Sequence, residues 1–242
     1  MRSGYSIDTM IARYLARLVC VAAVVFALPV GTPAWAAPQC SDVEVVFARG
    51  TAEPPGFGVT GMSFLAALRL LAGTRSVGMY AVNYAASSDF NNRVLVLRTV
   101  VDGIRDTQAH IEAVAANCPG TRIVLGGYSQ GAVVAGFATL DGAPAGVPPA
   151  YAAGVPAPMP PWVAAHVAAV VLFGKPSDRW MRDAGAPPIT IGPLYAGKTA
   201  NYCIPGDTIC DGGPLGEPNA LHSLYAVNGM TVDGAGFAIR HL

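Results

Sequence analysis

Two hydrophobic patterns alternate along the chain: short runs typical of buried strands and longer stretches with helical spacing. Five runs predict strands, at residues 43–48, 77–82, 122–126, 167–173 and 199–203. Four other stretches predict helices, at residues 63–71, 89–118, 131–140 and 232–239. This alternation predicts an α/β fold with a parallel sheet and helices on both of its faces.

Two of these segments carry further information. Residues 167–173 form the most apolar strand, and we expect it at the centre of a sheet that is covered on both faces. Residues 142–161 are rich in Pro, Ala and Gly and predict a connection on the surface.

The N-terminal residues 1–36 have the three parts of a secretory signal peptide. Arg2, Arg13 and Arg17 precede an apolar run at residues 18–30, and Ala34-Trp35-Ala36 supplies a small-x-small cleavage site. A retained membrane anchor is the alternative, but 13 apolar residues do not comfortably span about 30 Å of hydrocarbon. We expect cleavage after residue 36, a single domain at 37–242, and a protein that is extracellular or associated with the cell wall.

Charge and composition argue against a nucleic-acid partner and for a globular domain. Without residues 1–36 the chain has 12 basic and 14 acidic residues, hence a formal charge of −2 and no basic patch for nucleic acid. Only 12% of the chain is charged and 52% is hydrophobic, so a sizeable core can form.

The cysteines agree with export, since cleavage removes Cys20 and leaves an even set. The remaining four are Cys40, Cys118, Cys203 and Cys210. Three pairings are possible; we favour Cys40–Cys118 with Cys203–Cys210, because the second pair is close in sequence and would close a short loop. The spacings are wrong for zinc, and we expect no metal.

The strongest chemical motif is Gly127-Tyr128-Ser129-Gln130-Gly131. It follows a predicted strand and precedes a predicted helix, which is the setting of a nucleophile elbow, whereas an isolated Gly-x-Ser-x-Gly could be a flexible turn. Such a turn raises the serine hydroxyl above the sheet edge at a helix N-terminus, where negative charge is favoured. Ser129 is therefore the predicted nucleophile.

A serine nucleophile needs a base, and the base needs an orienting acid. Of the four histidines, His222 lies in a loop-like stretch after the last strand, whereas His110, His166 and His241 lie in a helix, beside a strand and at the C-terminus. Triad order places the acid between nucleophile and histidine. Asp207, between Cys203 and Cys210, fits best, with Asp211 and Asp178 as alternatives.

An oxyanion hole requires two hydrogen-bond donors. The amide of Gln130, next to the nucleophile, is the first candidate, and Thr51, in the loop after the first strand, is the second. The alternative is that this loop is only a turn with an ion pair between Arg49 and Glu53.

Together these residues resemble the cutinase family, specifically its bacterial serine esterases. The resemblance rests on Phe-Ala-Arg-Gly-Thr-x-Glu at 47–53, Gly-Gly-Tyr-Ser-Gln-Gly at 126–131, Cys-x-x-x-Asp-x-x-Cys at 203–210 and the downstream histidine. It implies a Ser129, Asp207 and His222 triad with Thr51 and Gln130 as the oxyanion hole. It also implies two disulfides, a small α/β-hydrolase fold with a five-stranded sheet in three layers (α/β/α), no cofactor and no large lid.

The predicted function is therefore hydrolysis of carboxylic esters with short- to medium-chain acyl groups, from a lipid, a polyester or an acylated small molecule. We expect a monomer that contacts lipid interfaces transiently. Two alternatives remain open: an esterase for acetylated polysaccharides with the same fold, and a secreted surface-binding protein without activity.

Overall fold

The computed structural model of the chain describes residues 40–144, 147 and 154–242. The predicted signal peptide at 1–36 lies outside the described residues, as does part of the predicted connection at 142–161. No helix in the described part of the chain is long and apolar enough to cross a membrane.

Five parallel strands form one sheet in the order β2-β1-β3-β4-β5. Their bounds are Val43–Ala48 (β1), Val77–Ala81 (β2), Arg122–Tyr128 (β3), Val167–Phe173 (β4) and Thr199–Tyr202 (β5). All seven residues of β4 are buried, as its apolar sequence predicts, but β3 rather than β4 occupies the centre of the sheet.

The described helices lie between and after the strands. They are Gly58–Leu71 (α1), Arg93–Asn117 (α2), Gln130–Ala138 (α3), Asp178–Asp183 (α4), Pro193–Ala196 (α5) and Met230–Ile239 (α6), with 3₁₀ turns at Pro161–Ala165 and Ala220–Ser223. Helix α1 begins five residues before the predicted stretch. Its first turn is stabilised from outside, because the carboxylate of Glu53 accepts a hydrogen bond from the amide of Val59 at 2.8 Å.

The hydrophobic core has one part on each face of the sheet. Residues of α2 and α3, such as Ile104 and Val134, pack on one face. Residues of α1 and α6, such as Phe64 and Ala235, pack on the other. The three-layer α/β/α architecture predicted for a small α/β-hydrolase is confirmed.

Two disulfides have the favoured pairing. Cys40–Cys118 joins the segment before β1 to the end of α2, and Cys203–Cys210 closes a loop directly after β5. Because all strands are parallel, their carboxyl ends lie at one edge of the sheet, and the loops after β1, β3, β4 and β5 meet there.

Candidate active site

Ser129 lies in a strained turn between β3 and α3. Its backbone angles are φ 53° and ψ −118°, a region that non-glycine residues rarely adopt. Its amide donates to the carbonyl of Phe173 on β4 at 2.9 Å, which fixes the turn to the neighbouring strand. The side chain is half-buried at the N-terminus of α3. This is the elbow geometry expected from the sequence.

The glycines on either side of Ser129 are required by close backbone contacts. A Cβ atom on Gly127 would lie 2.2 Å from the carbonyl oxygen of Gly131. A Cβ atom on Gly131 would lie 1.9 Å from the carbonyl oxygen of Ala48, at the end of β1. The tight turn therefore depends on the absence of side chains at both positions.

Three side chains form a continuous hydrogen-bonded chain. His222 Nε2 lies 2.8 Å from Ser129 Oγ, and His222 Nδ1 lies 2.8 Å and 3.0 Å from the two carboxylate oxygens of Asp207. Asp207 is fully buried and His222 is 5% exposed. A proton can pass from the serine hydroxyl to the imidazole, while the carboxylate orients the ring and stabilises its charged form.

The Asp207 carboxylate is held by further donors. Its Oδ1 accepts from the amide of Ile209 at 2.9 Å, and its Oδ2 accepts from the hydroxyl of Tyr225 at 2.6 Å. Burial acts to raise the pKa of Asp207, but the hydrogen bonds donated to it outweigh burial and keep its pKa below the usual value. The carboxyl group is therefore held as the anion that an imidazolium requires.

The other candidate residues have different partners. His110 stacks on Tyr80 and contacts Glu44, the ring of His166 packs against Trp162, and His241 donates to the carbonyl of Phe237. Asp211 accepts from the amide of Gly206, and Asp178 begins α4. The geometry thus groups His222 and Asp207, rather than these alternatives, with Ser129.

The two predicted oxyanion donors, Thr51 and Gln130, line the same cleft as Ser129 and His222. Gln130 is the first residue of α3, so its amide lies at the helix N-terminus. The side-chain amide of Gln130 donates to the carbonyl of Ser87 at 3.1 Å, which links it to the segment after β2.

The loop that carries Thr51 is fixed from both of its ends. Arg49 is buried and donates to the carbonyls of Glu53 and Tyr84, each at 2.7 Å. The carboxylate of Glu53 instead accepts from the amides of Gly50 and Val59, at 2.6 Å and 2.8 Å. The Arg49–Glu53 ion pair considered from the sequence is therefore wrong, because both side chains bind the backbone.

Tyrosines that sequence reasoning did not single out contribute to the site. The hydroxyl of Tyr128 donates to the carbonyl of His222 at 2.6 Å, so the residue beside the nucleophile also holds the histidine turn. Tyr84 donates to the carbonyl of Arg49. Each partner is distant in sequence, and the position of Tyr128 inside the elbow was the one available signal.

A cleft of about 1450 Å³ opens at Ser129. Apolar side chains contribute much of its lining, including Val94 and Leu97 of α2, Phe137 of α3 and Trp180 of α4. Phe90, Val94 and Leu97 are about half-exposed, at 50%, 53% and 47%. In the described part of the chain, no group of three or more His, Cys, Asp or Glu side chains could hold a metal ion.

Comparison with known proteins gives a family match that covers the whole described part of the chain. The family model described as Cutinase matches residues 39–242. The chain is 44% identical over 239 residues to the carboxylesterase Culp1 of Mycobacterium tuberculosis, covering 96% of this chain and 98% of that protein. It is 55% identical over 170 residues to the probable carboxylesterase Culp7 of the same organism, covering 70% and 87%.

A solved cutinase structure has a similar fold. Trichoderma reesei cutinase, in complex with a C11Y4 phosphonate inhibitor, superposes with a TM-score of 0.60 at 29% identity. The superposition covers 83% of this chain and 76% of that one.

Proposed function

Since this chain belongs to the cutinase family and is a carboxylic ester hydrolase, we propose that it is a secreted serine esterase with Ser129 as its nucleophile. The observation that carries the proposal is the hydrogen-bonded chain from Asp207 through His222 to the serine in its strained turn. Side chains and water are sufficient for the reaction, so the proposed mechanism uses no cofactor.

In the first half of the reaction, His222 Nε2 removes the proton from Ser129 Oγ as the oxygen attacks the ester carbonyl. The tetrahedral intermediate then collapses, and the imidazolium returns its proton to the leaving alcohol. In the second half, His222 removes a proton from a water molecule as the water oxygen attacks the acyl carbonyl. The bond between the acyl carbon and Ser129 Oγ then breaks, the imidazolium returns the proton to Oγ, and the carboxylic acid leaves. Asp207 orients the ring through Nδ1 and stabilises its positive charge at each step.

The negative oxygen of the intermediate requires donors at the α3 N-terminus. We assign the amide of Gln130 and the amide and hydroxyl of Thr51 to this role. Arg49 and Glu53 support the assignment, because their hydrogen bonds to the backbone hold the loop of Thr51 in place before substrate binds. Donors that are fixed in advance need no reorganisation as charge develops.

The proposed substrates are esters of short- to medium-chain acyl groups, from a lipid, a polyester or an acylated small molecule. The apolar lining of the cleft favours acyl chains over sugars. The half-exposed Phe90, Val94 and Leu97 favour transient contact of a monomer with a lipid interface.

Export is the second part of the proposal. The signal-peptide pattern at 1–36 and the two disulfides both favour an oxidising compartment outside the cytosol. We assign 37–242 as the mature catalytic domain.

Replacement of the nucleophile tests the proposed mechanism. Ser129→Ala should lower kcat for a chromogenic short-chain ester by about 10³-fold or more, because binding and oxyanion donors alone leave only residual catalysis. Ser88→Ala is the matched control, since Ser88 is exposed in the same cleft. It should retain activity.

Labelling by a fluorophosphonate probe gives a second readout of the same prediction. Wild type and Ser88→Ala should be labelled, and Ser129→Ala should not. A folded wild-type protein that neither reacts with the probe nor hydrolyses esters would instead favour the inactive surface-binding protein.

A further inference from the structure

Tyr225 is a buried phenol that contacts the acid of the proposed triad. It follows His222 by three residues, and its hydroxyl donates to Asp207 Oδ2 at 2.6 Å. His222 Nδ1 contacts the same oxygen at 2.8 Å. The two donors therefore share Oδ2, while Oδ1 accepts from the amide of Ile209 and also lies 3.0 Å from His222 Nδ1.

The position of the phenol is fixed independently of Asp207. Its oxygen accepts a hydrogen bond from the amide of Ile204 at 3.1 Å, and the disulfide sulfur of Cys210 lies 3.2 Å away. The ring is fully buried and packs against Phe173 and Tyr128. The hydroxyl therefore has one backbone donor behind it and can direct its own proton to the carboxylate.

The phenol also stays protonated. Burial, and next the hydrogen bond to the Asp207 carboxylate, raise the pKa of Tyr225 well above the usual value. Tyr225 thus remains a hydrogen-bond donor across the whole range in which an esterase works.

We propose that Tyr225 is a positioning residue that tunes the Asp207–His222 pair through its hydrogen bond to Asp207 Oδ2. The inference rests on the proposed function of that pair. Tyr225 does not line the cleft, so it acts on the base through the carboxylate rather than on the substrate.

The physical effect has a definite sign. A carboxylate that accepts a strong hydrogen bond from a phenol has less negative charge available for the imidazolium. Loss of the phenol makes the carboxylate more basic and holds the imidazolium more strongly, so the neutral base appears only at higher pH. It also removes one of the hydrogen bonds that hold the carboxylate group in position against the imidazole, which lowers turnover.

Tyr225→Phe is the first variant, because it removes the hydroxyl and keeps the buried ring. We expect kcat to fall about 10-fold, which is what loss of one hydrogen bond to a charged group is worth. KM should stay within about twofold, since only the base is affected. The rising limb of kcat/KM against pH should move up by about half a unit to one unit.

3-Fluorotyrosine at position 225 is the second variant, and it predicts a shift of opposite sign. Fluorine makes the phenol more acidic and a stronger donor, so the rising limb should move to lower pH than in wild type. This substitution keeps every hydrogen bond, and it carries the test if Tyr225→Phe does not fold. Tyr202→Phe is the matched control, because the ring of Tyr202 also contacts Phe173 and Tyr202 is half-buried at the end of β5.

All rates are normalised to the active fraction, measured by fluorophosphonate titration. Opposite shifts in the two position-225 variants, with an unmoved limb in Tyr202→Phe, support the proposal. An unmoved limb in both position-225 variants, or shifts of the same sign, overturns it and leaves the esterase assignment intact. Absence of activity in wild type is a different result, which removes the proposed function itself.

Discussion

Asp207, the proposed acid of the triad, is a fully buried carboxylate with three hydrogen-bond donors. It receives hydrogen bonds from an imidazole, a phenol and an amide, and has no exposed surface. An ionised group without solvent is tolerated only when its partners are complete. The same partners hold its pKa low and so keep the proposed acid charged.

Asp207→Asn should keep the fold and lower kcat by about 10⁴-fold, since the imidazole loses the partner that fixes its tautomer.

The stability of wild type relative to this variant should depend on pH. The pKa of Asp207 is lower in the folded protein than in the unfolded chain, where it is near 3.8. Ionised Asp207 therefore stabilises the fold above pH 3.8, and this stabilisation is lost as the pH falls through the pKa of the folded state.

Urea unfolding of both proteins between pH 7 and pH 3 measures this dependence. Wild type should lose more free energy of unfolding than Asp207→Asn as the pH falls below about 4. Equal losses in the two proteins would mean that Asp207 has the same pKa folded and unfolded, contrary to the geometry.

Among the structural elements, the two disulfides constrain different parts of the chain. Cys40–Cys118 encloses 78 residues that include β1, β2 and α2, whereas Cys203–Cys210 spans seven residues around Asp207. In the chain-entropy treatment, the long loop contributes roughly 4 kcal/mol to stability and the short loop roughly 2 kcal/mol. The short loop, however, contains Asp207, the proposed acid.

Replacing each cysteine pair by serines should therefore separate stability from activity. Loss of Cys40–Cys118 should lower the melting temperature more, while the folded fraction keeps its kcat. Loss of Cys203–Cys210 should lower the melting temperature less and kcat more, by about tenfold or more, since the carboxylate becomes mobile. Thermal unfolding and active-site-titrated kinetics check both; a larger loss of kcat in the first variant would contradict the division.

For the molecule as a whole, the proposed export predicts that residues 1–36 are removed. Protein recovered from the culture medium should begin at Ala37, as measured by intact mass. Ala36→Leu should block cleavage because the enzyme that removes signal peptides needs a small residue there, whereas Trp35→Leu, at the variable position, should not. Full-length wild-type protein in the membrane fraction would instead show that the segment is an anchor.

The sequence predicted the sheet well because strands in a doubly covered sheet are continuous apolar runs. The bounds of β1 and β4 match the predicted runs, and the other strands differ by one or two residues. Helices were less accurate where their ends depend on distant groups, as with the cap that Glu53 provides for α1. The short α4 and α5 carry too few turns for periodicity to reveal them.

The sequence predicted the members of the candidate site that belong to a local motif or to a fixed order along the chain. Ser129 is marked by its neighbours, and His222 and Asp207 by their order along the chain. Supporting groups such as Tyr128 and Tyr225 have no sequence motif of this kind, because their hydrogen-bond partners come close only when the chain folds. Catalytic roles for all of these residues stay predictions until the variants are measured.

The spacing of the hydrogen-bonded chain along the sequence has a consequence for timing. Ser129 and His222 are 93 residues apart, and the hydroxyl of Tyr128, 94 residues before His222, links the histidine turn to the elbow. In the export that we propose, the N-terminal part of the chain crosses the membrane first, so the elbow would emerge before the histidine that completes the hydrogen-bonded chain. Under that proposal, ester hydrolysis would begin only after the C-terminal part has been released and has folded onto the elbow.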